Sequence, residues 1–400
     1  MAHIIVVGGG QAGASLIAKL RALGSEDAIT LIGAEAVLPY QRPPLSKAYL
    51  LGEMEQERLF LRTQQFYDEQ NVTLRLGEAA TAIDPTARTV ALGDDSLAYD
   101  SLVLTTGSRA RHLPAAIGGD LAGVHVVRTL ADVDRLAPDC LPDKQVLVVG
   151  GGYIGLEAAA VMAKMGLKVS LIEMADRILQ RVAAPETSTY FRTIHRSHGV
   201  DIREGVGLEK LIGTTAVQAA KLTDGTELPC DMVIAGIGIV PETALAEQAG
   251  LTIDNGIATN AYGQTSDPNI WAAGDCASFP WREGRLRLES VQNAIDQAEA
   301  VAQNLVGPQE AYVPKPWFWS DQYDIKLQIA GLNQGYDRVV VRDGEALSHW
   351  YYAGDTLLAV DAMNDARGYM IGKRLIEAGR SPDPEVIADP SSDLKALLRG

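Results

Sequence analysis

Hydrophobic and polar positions near the start of the chain change from one period to another. An uninterrupted apolar run at 4–7 predicts a buried parallel strand, a helical pattern follows to Leu23, and a second apolar run covers 29–32. The turn between the first strand and the helix contains Gly8, Gly10, Gln11, Ala12 and Gly13. This order of elements predicts a strand, a tight glycine turn, a helix and a second strand.

The same pattern occurs again in the middle of the chain. An apolar run at 146–149 is followed by a helical pattern to Met165 and by a second run at 169–172. The turn of this copy contains Gly150, Gly152, Tyr153, Ile154 and Gly155. Glycines at this spacing let a helix N-terminus approach a diphosphate, whose charge the unpaired N–H groups favour. Two copies in one chain predict two dinucleotide-binding folds.

An acidic residue follows the second copy at the position of a ribose-binding carboxylate. Glu173 comes 23 residues after Gly150 and directly after the apolar run. Such an acid accepts a hydrogen bond from the 2′-hydroxyl of NAD and repels a 2′-phosphate. NADH is therefore favoured over NADPH, although Arg177 nearby leaves NADPH open.

Later strands return to the predicted nucleotide sites. The apolar run 102–104 ends at Thr106 and Gly107, and the run 232–235 leads to Gly238 in the same way. A third run ends at Asp275, where a carboxylate can accept hydrogen bonds from sugar hydroxyls, unless it is an ordinary turn aspartate. A helix is predicted over 289–305, and N–H groups of its first turn, around Val291, could point at a ring system.

The remaining segments predict smaller elements. Residues 53–71 predict a polar, solvated helix, and antiparallel meanders are predicted near Leu92 and over 205–231. A helix is expected over 187–199. The last part, from residue 313, predicts strands around 327, 340, 350 and 358 and a helix over 365–378.

Composition limits the function classes. The chain has 400 residues, which suits two or three domains, and a net charge of −16 argues against non-specific nucleic-acid binding. We see no signal peptide and no membrane span in the sequence. Cys140, Cys230 and Cys276 are scattered, which fits a reducing cytoplasm without a disulfide framework. No metal site is expected, because His195 and His198 have no evident third ligand.

A proline-rich segment follows the first copy of the glycine pattern. Two adjacent prolines at 43 and 44 stiffen the backbone between Arg42 and Lys47. These two cations are then held at fixed positions beside whatever the first copy binds. The alternative is a rigid surface loop.

Together these motifs resemble the FAD-dependent NADH:ferredoxin reductases of oxygenase systems, in the glutathione-reductase-like superfamily. The resemblance is carried by 8–13, 42–47, 106–107, 150–157, 274–275 and the segment Trp-Phe-Trp-Ser-Asp-Gln at 317–322. It implies an α/β fold with two Rossmann-like domains and a C-terminal α+β domain. The implied division is an FAD-binding domain at 1–110 and 241–312, an NAD-binding domain at 111–240 and a C-terminal domain at 313–400.

The resemblance also implies roles for individual residues. FAD would contact Gly8, Gly10, Gln11, Ala12, Gly13, Glu35, Arg42, Lys47, Thr106, Gly107, Asp275, Val291 and Trp319. In this set Glu35 would bind the adenosine ribose, Asp275 the ribityl chain, and Trp319 would pack at the flavin ring. Aligning the two copies on Ile32 and Ile172, however, places Gly33 opposite Glu173. NAD would contact Gly150, Gly152, Tyr153, Ile154, Gly155, Glu173 and Gly238.

Two residues are expected to act in catalysis. A hydride that moves from NADH to FAD adds negative charge to the flavin, and a nearby cation should stabilise that charge. Lys47 is the candidate, and Glu157 resembles the acid that pairs with this lysine in the wider superfamily. The alternative for Glu157 is an ordinary acid in the first turn of a helix.

The expected electron acceptor lies outside the chain. No cysteine occurs near Ser46, where related thiol enzymes carry one, so the electrons are expected to leave singly to a [2Fe-2S] ferredoxin. A ferredoxin is usually acidic and needs a basic docking surface; the alternative is a set of scattered solubilising charges. The candidate docking residues are Arg58, Arg62, Arg282, Arg285, Arg287, Arg367, Lys373 and Arg374.

Other functions stay open at this point. One is an NADH reductase of another acceptor, such as rubredoxin or monodehydroascorbate. Another is a flavin redox sensor resembling apoptosis-inducing factor, in which NADH binding changes assembly. The leading hypothesis is a cytoplasmic NADH:ferredoxin reductase, a monomer or weak homodimer that binds neither nucleic acid nor membrane and supplies a cytochrome P450 or a ring-hydroxylating dioxygenase.

Overall fold

The chain folds into two compact units. The computed structural model describes residues 2–399. The first unit consists of the segment that ends at Gln41, Glu55–Arg109 and Ile239–Pro316; the second consists of Arg42–Met54, Ala110–Gly238 and the segment that begins at Trp317. The proline-rich segment therefore belongs to the second unit, as the second glycine turn does.

The strands are, in chain order, β1 His3–Val7, β2 Ala28–Gly33, β3 Val72–Leu76, β4 Ala82–Asp84, β5 Thr89–Leu92, β6 Asp95–Ala98, β7 Ser101–Leu104, β8 Ser108–Ala110, β9 Val124–His125, β10 Gln145–Val149, β11 Lys168–Glu173, β12 Asp201–Glu204, β13 Leu208–Gly213, β14 Val217–Leu222, β15 Glu227–Pro229, β16 Met232–Ala235, β17 Ile239–Pro241, β18 Ile257–Ala258, β19 Ile270–Ala272, β20 Ala277–Trp281, β21 Gly284–Leu286, β22 Trp317–Gln322, β23 Ile325–Gly331, β24 Arg338–Asp343, β25 Leu347–Ala353 and β26 Thr356–Met363.

The α-helices are α1 Gln11–Ala22, α2 Gln64–Glu69, α3 Leu130–Leu136, α4 Tyr153–Lys164, α5 Pro185–Ser197, α6 Ala244–Gln248, α7 Val291–Val306, α8 Ala366–Glu377 and α9 Pro384–Ala388. Short 3-10 helices cover Pro43–Ser46, Gln56–Leu59, Ala115–Ile117, Ala137–Asp139 and Leu394–Leu398. Over residues 2–399, no helix combines the length and the apolar character that crossing a membrane requires.

A parallel sheet forms the centre of the first unit. Its strand order is β19-β7-β1-β2-β3, and Val7 of β1 lies opposite both Ile32 and Leu104. Strand β1 is apolar throughout its inner part because it is covered on both faces, as parallel strands usually are. Helices α1 and α7 pack on one of these faces, where Leu16 and Ala298 share an apolar core with the sheet. The first glycine turn follows β1 directly and lies at the C-terminal edge of this sheet.

The second unit contains a parallel sheet of the same plan. Its strand order is β12-β11-β10-β16-β9, and Val149 lies opposite Ile172 and Ala235. This register matches that of the first sheet, in which the opening strand also lies between the second strand and the closing strand. An antiparallel sheet, β13-β14-β15, follows it, as the pattern over 205–231 predicts.

A further antiparallel sheet of the second unit comes from the C-terminal part of the chain. Its order is β22-β23-β26-β25-β24. Helix α8 packs against it, and Trp350, Val360 and Leu375 are buried between them. The helices predicted over 187–199, 289–305 and 365–378 are found as α5, α7 and α8.

The helix predicted over 53–71 is wrong. Only the 3-10 helix Gln56–Leu59 and the short helix α2 form there. No continuous helix forms because the backbone around Phe60 pairs with the chain before the prolines: Leu61 N donates to Pro39 O, and Gln41 N to Leu59 O. The segment is not uniformly solvated either, since Leu59 and Tyr67 are fully buried.

Candidate active site

The first glycine turn is held closed by backbone contacts. A Cβ atom on Gly8 would lie 2.1 Å from the Thr105 carbonyl oxygen, and one on Gly13 would lie 2.3 Å from the Gly8 carbonyl oxygen. Gly8 also has a φ of 123°, which disfavours residues with a side chain. The Thr105 hydroxyl donates to the Gly8 carbonyl at 2.9 Å and fixes the turn to the end of β7.

The second glycine turn has the same construction. Gly150 has a φ of 107°, and a Cβ atom on Gly155 would lie 2.0 Å from the Gly150 carbonyl oxygen. Here Gly236 takes the place of the threonine, since a Cβ on Gly150 would meet its carbonyl oxygen at 2.4 Å. Neither turn can therefore carry larger residues at its first and last glycines.

The middle glycine of each turn faces open space. A Cβ atom on Gly10 or on Gly152 would meet nothing within 4 Å. These residues are the N-caps of α1 and α4, and neither helix has a side chain that caps its first N–H groups. A helix N-terminus without a side-chain cap, beside a glycine that leaves open space, fits a phosphate anion. Each unit therefore has a turn that fits the diphosphate of a dinucleotide, and Gln11, Ala12, Tyr153 and Ile154 begin the two helices.

The first unit gathers further predicted residues at the same edge of its sheet. Ser108, just after Thr106 and Gly107, donates from its hydroxyl to Asp275 Oδ2 at 2.9 Å. The Thr106 hydroxyl donates to the carbonyl oxygen of Glu242 at 2.6 Å. A Cβ on Gly274 would meet the Ala12 side chain at 3.1 Å, so the strand end at Asp275 lies against the start of α1.

Two other residues of the first unit that were predicted to contact FAD, Val291 and Glu35, lie where hydrogen bonds within the protein already use some of the polar groups. Val291 is the first residue of α7, but the Ser290 hydroxyl already accepts from Asn293 N, which leaves fewer free donors in that turn. Glu35 lies beyond β2, and its carboxylate accepts from the Tyr40 hydroxyl at 2.6 Å. Glu35 thus lies two residues beyond the end of β2, whereas Glu173 is the last residue of β11.

Glu173 lies at the C-terminal end of β11 beside the second glycine turn. Its carboxylate accepts from Gly151 N at 2.7 Å and from Ala175 N at 2.8 Å. The neighbouring Arg177 donates to the Ser188 hydroxyl at 2.5 Å and to the Gln180 carbonyl oxygen at 3.5 Å. A negative charge is therefore fixed at the turn, while the nearby positive charge is held by other partners.

Lys47 and Glu157 form an ion pair within the second unit. Lys47 Nζ lies 2.6 Å from Glu157 Oε2, and the carboxylate is only 3% exposed. The Ser46 hydroxyl also donates to Oε2, at 3.0 Å, and the Ser320 hydroxyl donates to Oε1 at 2.8 Å. Removing one member of such a buried pair usually costs about 3–5 kcal/mol because the other charge stays unpaired. Removal of either member is therefore expected to lower the free energy of unfolding of this region.

Helix α4 and strand β22 meet through two pairs of side chains. Tyr153 and Glu157 are one turn apart on α4, and Phe318 and Ser320 alternate on one face of β22. The rings of Tyr153 and Phe318 lie 5.0 Å apart, next to the hydrogen bond between Glu157 and Ser320. The predicted flavin contact Trp319 lies on the other face of β22, where its ring is 5.6 Å from that of Trp317.

The remaining predicted residues of the second unit have the following positions. Arg42 donates to the carbonyl oxygen of Arg128 at 2.7 Å. Ile154 is 46% exposed at the start of α4. Gly238, with a φ of 94°, has open space where a Cβ would point. Arg42, Lys47 and Trp319 thus belong to the unit that contains the second glycine turn.

The cysteines do not provide a thiol at this site. Cys140, Cys230 and Cys276 are free and buried. Burial raises the pKa of the Cys140 and Cys230 thiols to about 12, and it raises the pKa of Cys276 as well. Thiols with such pKa values are poor nucleophiles. In the part of the chain that the structure describes, no cluster of His, Cys, Asp and Glu could hold a metal ion.

Comparison with known proteins identifies the family. Residues 2–298 match the pyridine nucleotide-disulphide oxidoreductase family, and residues 317–398 match the reductase C-terminal family. The chain belongs to the pyridine nucleotide-disulphide oxidoreductases.

The similarity to known reductases covers almost the full length of the oxidoreductase. A ferredoxin–NAD(P)+ reductase of a Sphingomonas species is 44% identical, over 99% of this chain and 97% of its own. Putidaredoxin reductase of Pseudomonas putida is 43% identical, over 99% and 96%. The covalent putidaredoxin reductase–putidaredoxin complex contains a chain with a TM-score of 0.96 and 42% identity, which covers 100% of this chain and 98% of its own.

Several expectations from the sequence are confirmed by this membership. The resemblance to ferredoxin reductases of oxygenase systems is confirmed, and so is the glutathione-reductase-like α/β fold. The protein is an oxidoreductase of the flavoprotein class whose cofactors are FAD and NAD(P)H.

Sequence reasoning missed several residues of the site. Thr105 and Ser108 flank the predicted pair Thr106 and Gly107, and each supports a predicted residue from an adjacent segment. Ser320 was part of the tryptophan-containing motif, but no role was predicted for it. The alternation of β22 was the available signal, because a polar residue on the buried face of a strand needs a partner.

A buried carboxylate of the oxidoreductase lies in the C-terminal sheet. Asp361 accepts hydrogen bonds from the hydroxyls of Tyr351 and, at 2.8 Å, of Thr187 on α5. Because the only hydroxyl hydrogen of Thr187 is used in this way, His349 Nδ1 must donate to Thr187 Oγ1, 2.8 Å away. Burial raises the pKa of Asp361 to about 6, although the two hydroxyls lower it in part.

Asp361→Asn should change the pH dependence of stability. The ordinary pKa of 3.8 rises to about 6 on folding, so wild-type stability falls as the pH rises through this window, by up to about 3 kcal/mol. Asparagine cannot ionise and lacks this loss. Urea unfolding at pH 5 and pH 8 should therefore show the variant gaining on the wild type at the higher pH. The lowered pKa values of His195 and His349, both about 4, act equally in both proteins.

The exposed Asp355 provides the control for this measurement. Asp355→Asn removes a fully exposed carboxylate from the same sheet region, so its effect on the free energy of unfolding should be the same at both pH values. Parallel pH profiles for wild type and Asp361→Asn would contradict the assignment of the raised pKa to Asp361.

Proposed function

We propose that the protein is an NADH-dependent ferredoxin reductase that supplies a cytochrome P450 or a ring-hydroxylating dioxygenase through a [2Fe-2S] ferredoxin. The observation that carries this proposal is identity above 40% with ferredoxin reductases over almost the whole chain, the C-terminal domain included. Bound FAD supplies the chemistry, since it accepts a hydride from NADH and releases the electrons singly. The protein's own residues bind and orient the two nucleotides and stabilise the negative charge that the flavin gains.

In this proposal the first unit binds FAD. Gly8, Gly10 and Gly13 present the N-terminus of α1 to the diphosphate, and Asp275 accepts from ribityl hydroxyls while Ser108 orients it. The proposed contacts also include Gln11, Ala12, Glu35, Arg42, Lys47, Thr106, Gly107, Val291 and Trp319. The Glu35 carboxylate accepts from Tyr40 and keeps further lone pairs that can accept from the ribose hydroxyls of the adenosine.

The second unit binds NADH in this proposal. Gly150, Gly152 and Gly155 present the N-terminus of α4, and Glu173 accepts from the ribose hydroxyls of the adenosine. Tyr153, Ile154 and Gly238 complete the proposed contacts. The charge of Glu173 supports NADH over NADPH because a 2′-phosphate would be placed beside a carboxylate.

Lys47 and Glu157 are the proposed catalytic pair. Lys47 Nζ supplies a positive charge that stabilises the negative charge gained by the flavin, and Glu157 holds the ammonium group in place. No thiol is needed for this role, in agreement with a serine at position 46 and with the raised pKa values of the cysteine thiols.

The ferredoxin would dock on basic residues of an otherwise acidic protein. Arg285, Arg287, Arg367 and Lys373 are engaged by carboxylates, which reduces the field that they present. Arg62 and Arg282 lie over the rings of Phe66 and Trp281. We therefore expect Arg62 and Arg282 to contribute most, with Arg58 and Arg374 as the other candidates.

The proposal also includes the localisation, the oligomeric state and the domain boundaries. The protein would act in the cytoplasm as a monomer or weak homodimer, away from membranes and nucleic acid. Its FAD-binding domain would comprise 1–110 and 241–312, its NAD-binding domain 111–240 and its C-terminal domain 313–400. Three free cysteines support a reducing compartment.

The test is a reconstituted electron-transfer assay. The purified yellow protein is mixed with NADH, a [2Fe-2S] ferredoxin from its own genome and cytochrome c, and the reduction of cytochrome c should depend on the ferredoxin. Turnover with rubredoxin or monodehydroascorbate, but with no ferredoxin of that genome, would favour another reductase. Sluggish flavin reduction with a stable NADH complex would favour a redox sensor.

Glu173→Gln should weaken the preference for NADH. The amide keeps the size of the side chain but removes the charge that repels a 2′-phosphate, and about 1.4 kcal/mol of lost repulsion corresponds to tenfold. The ratio of kcat/KM for NADH to that for NADPH should fall roughly tenfold. Glu209→Gln, which removes an exposed carboxylate paired with Lys221, should leave the ratio unchanged. An unaltered ratio in Glu173→Gln would show that the ribose contact is elsewhere.

A further inference from the structure

A line of buried polar side chains leads away from Glu157. Ser320 Oγ lies 2.8 Å from Glu157 Oε1, and Gln322 Nε2 lies 3.1 Å from Ser320 Oγ. His195 Nε2 of α5 lies 2.8 Å from Gln322 Oε1, and the Tyr323 hydroxyl lies 3.2 Å from His195 Nδ1. Ser320, Gln322 and His195 are completely buried. The line therefore joins α4 to α5 across the face of β22.

Chemistry fixes the direction of every hydrogen bond in this line. A carboxylate only accepts, so the single hydroxyl hydrogen of Ser320 is donated to Glu157. Ser320 must then accept from the amide nitrogen of Gln322, which places the amide oxygen of Gln322 toward His195. His195 Nε2 therefore carries a hydrogen, and Nδ1 accepts from Tyr323. All the donors point toward the carboxylate.

His195 is suited to this fixed direction. Burial lowers its pKa to about 4, so the ring is neutral at pH 7 and keeps one tautomer. Tyr323, which accounts for that tautomer, has a φ of 57° at the β22–β23 turn, and its ring is stacked on His198 at 3.7 Å. Left-handed backbone costs a residue with a side chain about 1–2 kcal/mol, so packing holds the tyrosine in this position.

A buried polar line is expensive unless each member has a partner, and here each has one. Glu157 Oε2 accepts from Lys47 and Ser46, whereas Ser320 is the donor that the structure provides for Oε1. If the amide of Gln322 turned over, its oxygen would face Ser320 and compete with Glu157 for the hydroxyl hydrogen. The donor from His195 prevents this rotation.

We propose that His195 and Gln322 are positioning residues for the Lys47–Glu157 pair. They direct the Ser320 hydroxyl at Glu157 Oε1 and thereby hold the carboxylate in the orientation that engages Lys47. This inference rests on the proposed catalytic role of that pair. It extends the functional site to α5, where His195 is linked to Glu157 through Gln322 and Ser320.

The test measures flavin reduction by NADH in stopped-flow experiments on the FAD-loaded protein. His195→Leu removes the donor to Gln322, and the limiting rate at saturating NADH should fall about five- to tenfold, while the apparent Kd for NADH stays within about twofold. His195→Gln can place an amide nitrogen near the former Nε2 and should restore most of the rate. Should His195→Leu fail to fold, Gln322→Met, of similar volume, should give the same loss.

A matched control separates positioning from simple attachment of α5. His349 is also buried and neutral, and it joins the same helix to the C-terminal sheet through Thr187. His349→Leu should lower the melting temperature but leave the limiting rate unchanged. An equal loss of rate in His349→Leu and His195→Leu, or a wild-type rate in His195→Leu and Gln322→Met, would overturn the proposal.

A further comparison distinguishes this inference from the function on which it rests. If Lys47→Met slows flavin reduction but His195→Leu does not, the positioning role fails and the catalytic pair stands. If Lys47→Met has no effect, the proposed role of the pair itself fails. Ser320→Ala combined with His195→Leu should cost no more than Ser320→Ala alone, because both interrupt the same line.

Discussion

Lys47→Met is expected to slow the reduction of FAD by NADH about 100-fold, with FAD still bound. The change removes the charge that we propose stabilises the reduced flavin, and one preorganised electrostatic contact is typically worth about 100- to 1,000-fold. It also leaves Glu157, which is 3% exposed, without its ion-pair partner. Anaerobic stopped-flow measurement at saturating NADH gives the rate, and the visible spectrum gives the FAD content.

Another lysine of the same unit provides the control. Lys164 also forms an ion pair, with Glu53 at 3.0 Å, but both side chains are more than half exposed. Lys164→Met should therefore leave the rate and the stability near those of the wild type. Lys47→Arg keeps the positive charge on a group of different shape. Its rate of flavin reduction should lie between the rates of Lys47→Met and Lys164→Met. A wild-type rate in Lys47→Met would remove Lys47 from the mechanism.

Gly152→Glu should raise the KM for NADH about 100-fold or more without unfolding the protein. A Cβ at this position meets nothing within 4 Å, and the backbone φ of −80° is open to any residue. The new carboxylate would lie at the uncapped N-terminus of α4, where it would compete with the diphosphate for the same N–H groups. Steady-state kinetics with NADH, together with thermal melting and FAD content, measure the effect.

Two other glycines, Gly155 and Gly284, give the contrast that makes this result informative. At Gly155 a Cβ would lie 2.0 Å from a backbone oxygen, so Gly155→Ala should destabilise the protein rather than block the nucleotide alone. Gly284→Glu, at the start of β21 in the first unit, where a Cβ would also meet nothing within 4 Å, should leave the KM for NADH unchanged. A normal KM in Gly152→Glu would place the diphosphate away from this turn.

The nucleotide turns were predictable because their constraints are local. A contact between Gly8 and Gly13, or between Gly150 and Gly155, joins residues five positions apart, so the spacing of glycines states the geometry directly. The buried parallel strands were predictable for a similar reason, since a strand covered on both faces must be apolar at every position. The error at 53–71 arose where this locality ended, because Leu61 pairs with Pro39 and a helical pattern was overridden.

The sequence by itself determined the two glycine turns, the parallel strands around them and the carboxylate at the end of β11, because these follow from spacing and periodicity over short stretches. The family resemblance implied that Lys47 pairs with Glu157, but only the tertiary structure decided the other partners of this carboxylate. Ser320 and, through Gln322, His195 come from segments far from Glu157 in the chain, and an ordinary polar side chain carries no local signal of a distant partner. Burial makes those partners necessary, since a carboxylate removed from water must be matched by donors, and the fold alone determines which donors are within reach.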